Sequence, residues 1–260
     1  MPEGDAVYRT AARLRQALDG RVLTRSDFRV PRHATADLTG RTVLETVSRG
    51  KHLLTRVEGD LTVHTHLRMD GSWLVTPVGR RIARGGDQVR LILANGQWQA
   101  VGMRLGMVDL LRTAEEDRVV GHLGPDLLGE DWDPAEAVRR LRRDPDTTIG
   151  EALLDQRNLA GIGTIYRAET LFLRGLRPWR RVADVEDLDA LVDLARRLLH
   201  ANKRHAGTVT TGDRRPGNQT WVYGRAGRPC RRCGTRISRG EMGARPQERL
   251  ILWCDGCQPG

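Results

Sequence analysis

At 260 residues the chain is long enough to bury one large or two smaller cores. Its 43 basic and 33 acidic side chains leave a net charge of +10, which points to a folded protein with a polyanionic partner and excludes a disordered basic tail. No apolar run approaches the ~20 residues that span a bilayer, so nucleic acid is preferred over an anionic membrane as that partner. Arginine strongly outnumbers lysine, so arginine-rich codon usage is a second source for part of the excess. The four cysteines all lie within the C-terminal thirty-one residues, in two pairs. That argues for one metal site in a reducing cytosol and against a disulfide framework.

The chain opens Met1-Pro2-Glu3-Gly4-Asp5, too short and too polar for a targeting segment. Loss of Met1, expected with a small proline next to it, leaves a secondary amine beside the Glu3 carboxylate. A free α-amino group titrates near ~7.7–8.0, against ~10.4 for lysine, so roughly 10–20% of it is neutral at pH 7. Such an amine attacks a sugar aldehyde carbon and yields a cationic iminium, an electron sink. On its own a Met-Pro start carries no function.

From Ala6 to Leu18 the residues Val7, Ala11, Leu14 and Leu18 recur at helical spacing, with Gly20 as a stop. From Arg21 to about Leu111 the pattern turns to short branched runs: 22–24, 42–44, 52–57, 61–63 and 89–93. Glu58-Gly59-Asp60 and Asn95-Gly96 read as hairpin turns. Close turns between short strands predict an antiparallel sandwich or barrel. Ser48-Arg49-Gly50-Lys51-His52 puts a lysine at the head of a strand. His64 and His66 share a strand face; a polar face is the preferred reading over a metal pair, since no third ligand is near in sequence.

Near Val119 the pattern becomes helical. Asp133-Pro134-Ala135-Glu136 and Thr148-Ile149-Gly150-Glu151 are capping signals, opening helices to about Arg143 and Gln156. A third helix follows Gly161-Ile162-Gly163, with Ile165, Ala168, Glu169 and Phe172 on one face. The Gly-x-Gly turn reads either as a phosphate-binding helix start with free backbone N–H groups or as a structural helix hairpin. A fourth helix runs from Glu186 to about His205. Residues 207–219 look like a linker. They lead into Cys230-x2-Cys233 and, twenty residues on, Cys254-x2-Cys257, whose spacing predicts one structural zinc ion with four thiolate ligands. The arginines crowded around it read as a solvated face or as phosphate contacts, the latter favoured.

Taken in order, Met1 to Gly4, Arg49-Gly50-Lys51, the His66 to Gly71 segment, Gly124-Pro125-Asp126, Leu153 to Gln156 through Gly163, Val222-Tyr223-Gly224-Arg225 and the cysteine pairs resemble the formamidopyrimidine-DNA glycosylase and endonuclease VIII superfamily. Gly4 places the chain nearer the endonuclease VIII branch, and its wording resembles the actinobacterial versions. The resemblance implies a bifunctional DNA glycosylase and AP lyase of base excision repair for oxidised bases, pyrimidines favoured. It implies that Pro2 is the Schiff-base nucleophile, Glu3 the proton shuttle, Lys51 an assisting cation and Arg249 the phosphate-gripping arginine of the zinc hairpin, with Arg245 a competitor. Arg68, Met69 and Asp70 fall in the turn that fills the space left by an extruded base. His122 and Thr164 replace an arginine and an asparagine among the DNA contacts, and Ala6 replaces a glutamate. Met103 and Leu105 stand where the formamidopyrimidine branch has its void-filling arginine and phenylalanine.

The expected fold is therefore α+β and two-lobed. An N-terminal antiparallel β-sandwich with flanking helices spans 1–117, a helix-two-turn-helix region 118–212 and a zinc-finger β-hairpin 213–260. A cytoplasmic bacterial monomer is expected, on the nucleoid through damaged DNA, duplex or single-stranded, running between the lobes. Two alternatives stay open: an enzyme that is mainly an AP lyase on abasic or single-stranded DNA, and a non-catalytic zinc-ribbon DNA-binding protein. Glu3 and Lys51 argue against the last, since binding alone does not need them.

Overall fold

Val7, Ala11, Leu14 and Leu18 bury one side of helix α1 (Gly4–Leu18). In the computed structural model, which describes residues 2–81 and 86–260, that helix packs on two antiparallel four-stranded sheets. Met1, and with it the expected loss of that residue, lies outside the described residues. One sheet has the order β1-β6-β7-β5, with β1 Arg25–Phe28, β5 Ser72–Pro77, β6 Val89–Ala94 and β7 Trp98–Met103. The other has the order β2-β3-β4-β8, with β2 Val43–Arg49, β3 His52–Val57, β4 Leu61–His66 and β8 Met107–Arg112. Phe28, Leu91, Leu93 and Ala100 of the first sheet meet Val43, Leu53, Val57 and Val63 of the second in one core, closed by α1. This is the sandwich that the alternating pattern implies. Each fully buried Leu or Phe there contributes about 1.5–3 kcal/mol.

Two local expectations change. The β6–β7 turn is centred on Gly96-Gln97 instead of Asn95-Gly96, because Asn95 N–H already bonds Trp98 C=O at 2.9 Å. The Asn95 side chain accepts from Gln97 and Trp98 N–H and donates to Ala17 C=O, so it closes the turn and ties it to α1. Strands β1 and β5 have weak patterns in sequence. They form because β6 and β7, the apolar central strands, offer them full ladders.

The chain divides into two compact units, Met1–His122 and Leu123–Gly260. A four-residue helix α2 (Asp117–Val120) ends the first unit. The second unit contains α3 (Pro134–Leu141), α4 (Ile149–Ala152), α5 (Thr164–Arg174), α6 (Leu188–Asn202) and a hairpin of β9 (Ser238–Met242) and β10 (Arg249–Trp253). Asp133 caps α3 through Glu136 N–H, and Thr148 caps α4 through Glu151 N–H. Helix α4 stops at Ala152, short of Gln156. The Gln156 side chain instead binds Leu154 and Ile162 C=O and Gly161 N–H.

Helix α5 is the wall shared by two cores. Tyr166 and Leu171 enter the helical core with Leu191, Val192 and Leu199. Ala168 and Phe172 enter a second core with Val222, Ile237, Met242, Ile251 and Leu252. Two charged residues cross this wall. The fully buried Arg167 donates to Gly150 and Leu250 C=O. The fully buried Glu169 carboxylate accepts the N–H groups of Trp221 (2.8 Å), Val222 (2.9 Å) and Tyr223 (2.8 Å), as well as the Thr210 hydroxyl.

Candidate active site and metal centre

Pro2 is half-buried and directly precedes the Glu3 N-cap, whose side chain is buried. Glu3 C=O accepts from Ala6 and Val7 N–H, so the first helical turn fixes its backbone. The positive end of the helix dipole favours a carboxylate there. Asp5, also buried, is held by Arg9 at 2.9 Å. It is thus committed to its own helix, although it neighbours the glutamate position that Ala6 leaves empty.

Lys51 lies in the two-residue turn Gly50-Lys51 between β2 and β3, one step earlier than the strand head. Gly50 takes φ +57°, and Arg49 pairs with His52 across the turn. The turn after β4 carries Arg68 at φ +50°, a strained position for a side chain with a Cβ. Two glycines make that turn possible. A Cβ on Gly71 would lie 2.4 Å from Leu67 O, and one on Gly106 would lie 2.5 Å from the Arg68 side chain. Arg68, Met69 and Asp70 are all exposed, Met69 to 62%. Leu105, by contrast, is buried in the sandwich core and offers nothing to a ligand.

Behind this turn the sandwich gathers four imidazoles. Strand register puts His52 opposite His66, and His64 opposite Leu54 and Asp109. His52 Nδ1 and His64 Nε2 are 2.8 Å apart and share a hydrogen. The His52 ring also meets His66 edge-on at 4.8 Å and His122 at 6.2 Å between centroids. Burial, followed by the charges of His66, His64, His122 and Lys51, pushes His52 down to about 3. Burial, then Lys51, His64 and Arg68, pushes His66 down to about 4. His64 is lowered by burial, against the pull of Asp109 and Glu116. His52, His64 and His66 are therefore neutral at pH 7.

In the second unit Thr164 is the first residue of α5 and is buried. The turn before it is less open than expected, since Gly161 N–H is already bonded to Gln156 Oε1 at 3.0 Å. Arg249 opens β10 opposite Met242, exposed, with its guanidinium on Glu248 C=O. Arg245 is also exposed and pairs with Glu248 at 3.2 Å.

The four cysteine sulfurs all lie within 4.8 Å of one another, with close pairs at 3.4, 3.5 and 3.8 Å. A disulfide needs about 2.05 Å. Tetrahedral ligands at ~2.3 Å from one ion are spaced by roughly 3.7 Å, so the set fits a closed four-thiolate metal site. Among the described residues no other His, Cys, Asp or Glu group has such geometry. The His64–His66 face packs against His52, which also meets His122. Hydrogen bonding from Thr235 lowers Cys233 to about 6, whereas burial and the neighbouring sulfurs push Cys254 and Cys257 up, so the four-thiolate state calls for a bound cation.

Family models for the formamidopyrimidine-DNA glycosylase N-terminal domain and the formamidopyrimidine-DNA glycosylase H2TH domain match residues 1–114 and 123–212. The chain belongs to the formamidopyrimidine-DNA glycosylase family. It is 57% identical to the probable endonuclease 8 2 of Streptomyces coelicolor, over 100% of this chain and 95% of that one. It is 50% identical to endonuclease 8 2 of Mycobacterium tuberculosis, over 99% and 100%. It is 45% identical to the DNA-(apurinic or apyrimidinic site) lyase Nei2 of Mycolicibacterium smegmatis, over 99% of each. The fold resembles that of Lactococcus lactis Fpg, crystallised with abasic-site DNA, at a TM-score of 0.83 and 24% identity over 99% and 100% of the two chains. These relatives agree with placement in the endonuclease VIII branch. No helix is long and apolar enough to cross a membrane, among the described residues.

The sequence pairs His64 with His66 on one strand face and sets His122 apart, but it does not show His52 joining them, because that contact depends on the β3–β4 register.

Proposed function

We propose that the protein is a DNA glycosylase and AP lyase of base excision repair, with Pro2 as its nucleophile. The observation that carries this is the seating of Pro2 immediately before a buried Glu3 at the N-cap position of α1, in a chain of this family. With Met1 removed, the Pro2 amine attacks the anomeric carbon of a damaged nucleoside. The base leaves, and a Schiff base joins protein to sugar. The iminium acidifies the neighbouring sugar carbon, and phosphate departs by β- and then δ-elimination. Glu3 moves the proton at the sugar, held near it by the α1 N-terminus. Lys51, fixed by its two-residue turn, assists at the sugar and its phosphate. The exposed Arg68-Met69-Asp70 turn enters the space left by the extruded base, with Met69 as the wedge. His122 and Thr164 are further DNA contacts, and Arg249 grips phosphate for the second elimination.

The metal is zinc, held by Cys230, Cys233, Cys254 and Cys257. With all four positions filled by thiolate its part is structural: it holds the hairpin that carries Arg249. Damaged DNA is the partner and oxidised pyrimidines the favoured lesions, since neither Met103 nor the buried Leu105 supplies the second void-filling pair expected of a purine specialist. A second reading, an enzyme that acts mainly as a lyase on abasic sites, is supported by the same missing pair and by the relative named as such a lyase.

Borohydride trapping on DNA with a single abasic site tests the central step. Native protein is expected to form a covalent adduct, and Pro2→Gly to lose most of it. An undiminished adduct with Pro2→Gly would sink the Schiff-base role. A panel of damaged bases then separates the two readings: base release from intact oxidised nucleosides supports the glycosylase, and cleavage of abasic DNA alone supports the lyase.

A further inference from the structure

We propose that the cleft beside Trp179, in the second unit, is a docking site for a short peptide of a partner protein, one that sets an aromatic or aliphatic side chain next to a carboxylate. The cleft has a volume of about 430 Å³ and is lined by Arg177, Trp179, Arg180, Arg181, Asp184 and Gly260. An exposed indole by itself is ordinary on a protein surface. This one is held rigid, borders a cavity and is ringed by guanidiniums.

Trp179 is 37% exposed, on a turn that is fixed on both sides. Pro178 C=O accepts from Gly150 N–H at 2.9 Å, and Arg180 C=O from Ile149 N–H at 2.8 Å, which pins the turn to the start of α4. Arg180 N–H closes the turn on Arg177 C=O at 3.1 Å. The indole meets Trp253 edge-on, with ring centroids 4.6 Å apart. Trp253 is itself held, since its indole N–H donates to Asp255 at 2.8 Å. Asp255 also accepts from Ser238 and Arg177. A fixed aromatic face gives up little conformational entropy when a ligand covers it, which suits it to anchor a partner.

The charges around the cleft decide the class of ligand. Arg181 is shared between Asp146 and Asp184, and Arg177 is paired with Asp255. Arg180 acts on Asp184 from a distance and has no ion-pair partner among the described residues. Its guanidinium is open to an incoming carboxylate. The three aspartates repel a chain of phosphates, so a nucleic-acid strand fits poorly. They suit a peptide, because Asp184 keeps acceptor sites for backbone N–H groups while the open indole face packs an apolar side chain. Helix α5 is 11 residues long, about 16 Å, and the cleft lies past its C-terminal end while Thr164 opens it. A peptide in the cleft therefore leaves the first turn of α5 uncovered.

The test starts from a displayed library of random short peptides, selected on the full native chain with its metal bound and counter-selected on Trp179→Ala. The selected consensus is expected to set an aromatic or aliphatic residue beside Asp or Glu. The best peptide, carrying a dye, is then titrated by fluorescence anisotropy. Trp179→Ala is expected to weaken it roughly tenfold or more, and Arg180→Gln several-fold. In chain labelled with fluorotryptophan, the Trp179 signal, assigned through Trp179→Phe, is expected to shift saturably with the peptide. A selection that yields no peptide, a consensus without an acid, or native affinity in either Trp179→Ala or Arg180→Gln overturns the proposal. An oligothymidylate that moves the Trp179 signal and displaces the peptide also overturns it, in favour of a strand site. Borohydride trapping is read separately and is expected to be unchanged in Trp179→Ala. Failed trapping by native protein that still binds the peptide refutes the catalytic reading and leaves the cleft standing.

Discussion

Replacing Glu169 by alanine tests whether one buried carboxylate organises the approach to the cysteine module. Three backbone N–H groups, those of Trp221, Val222 and Tyr223, bond it at 2.8–2.9 Å, and the Thr210 hydroxyl adds a fourth donor. A hydrogen bond to a charged group contributes about 1.5–3 kcal/mol, and a stranded buried donor costs about 1–3 kcal/mol. Val222 is buried, while Trp221 and Tyr223 are half-buried and regain water in part. The expected loss is therefore about 3–5 kcal/mol for Glu169→Ala, and about half of that for Glu169→Gln, which keeps one acceptor oxygen. Hydrogen exchange over residues 220–224 is the direct assay, because it reads these three amides. Their protection is expected to fall on the order of 100-fold, while α1 and the sandwich strands keep theirs. Unchanged exchange of these amides, or a loss below about 1 kcal/mol in urea, would refute the reasoning.

Three further outcomes follow. His52 titrates near 3 when folded and near 6.5 when unfolded, so the unfolded chain binds the extra proton between those values. Its contribution to stability is complete above about pH 7 and is lost as pH falls through 6.5, by at most about 2 kcal/mol at pH 5. His52→Gln is expected to flatten a plot of melting temperature against pH over that range, and an unaltered slope contradicts the assignment. Gly71→Ala drives a Cβ against the Leu67 backbone and Gly106→Ala sets one 2.5–2.8 Å from the near end of the Arg68 side chain, including its Cβ, so each is expected to cost about 1–3 kcal/mol. A melting temperature unchanged in either variant would undo that argument. A strong chelator, or Cys254→Ser, is expected to release about one metal ion per chain and to expose residues 230–257 to protease, read by mass spectrometry. Full metal retention in the variant argues against the four-cysteine site.

The helices of the second unit were legible because their starts are written in single residues. Asp133 and Thr148 make the cap bonds that their spacing to Glu136 and Glu151 predicts. Cysteine spacing likewise carries the metal centre, since two knuckles need only meet once. The edge strands β1 and β5 were not legible, because their pairing comes from neighbours far away in sequence. Arg167 looks like an ordinary helix-surface charge, and Glu169, although it shares a face with Ala168 and Phe172, has no partner visible in sequence. Only the strand and loop packed on α5 turn them into buried tethers. The imidazole cluster needs three separate segments, 52, 64–66 and 122, and so appears only with the strand register.

The Gly50-Lys51 turn also limits how this chain can vary in length. Arg49 pairs directly with His52, so the connection has no slack. One inserted residue would slip β3 by a single step against β2, and alternate side chains would exchange faces. His52 would turn toward the apolar core, and Leu53 would face the imidazoles. A peptide tag or spectroscopic label spliced there is thus expected to abolish folding of the first unit. The longer exposed connection 243–248, between Met242 of β9 and its partner Arg249 of β10, has slack and is the better place for one.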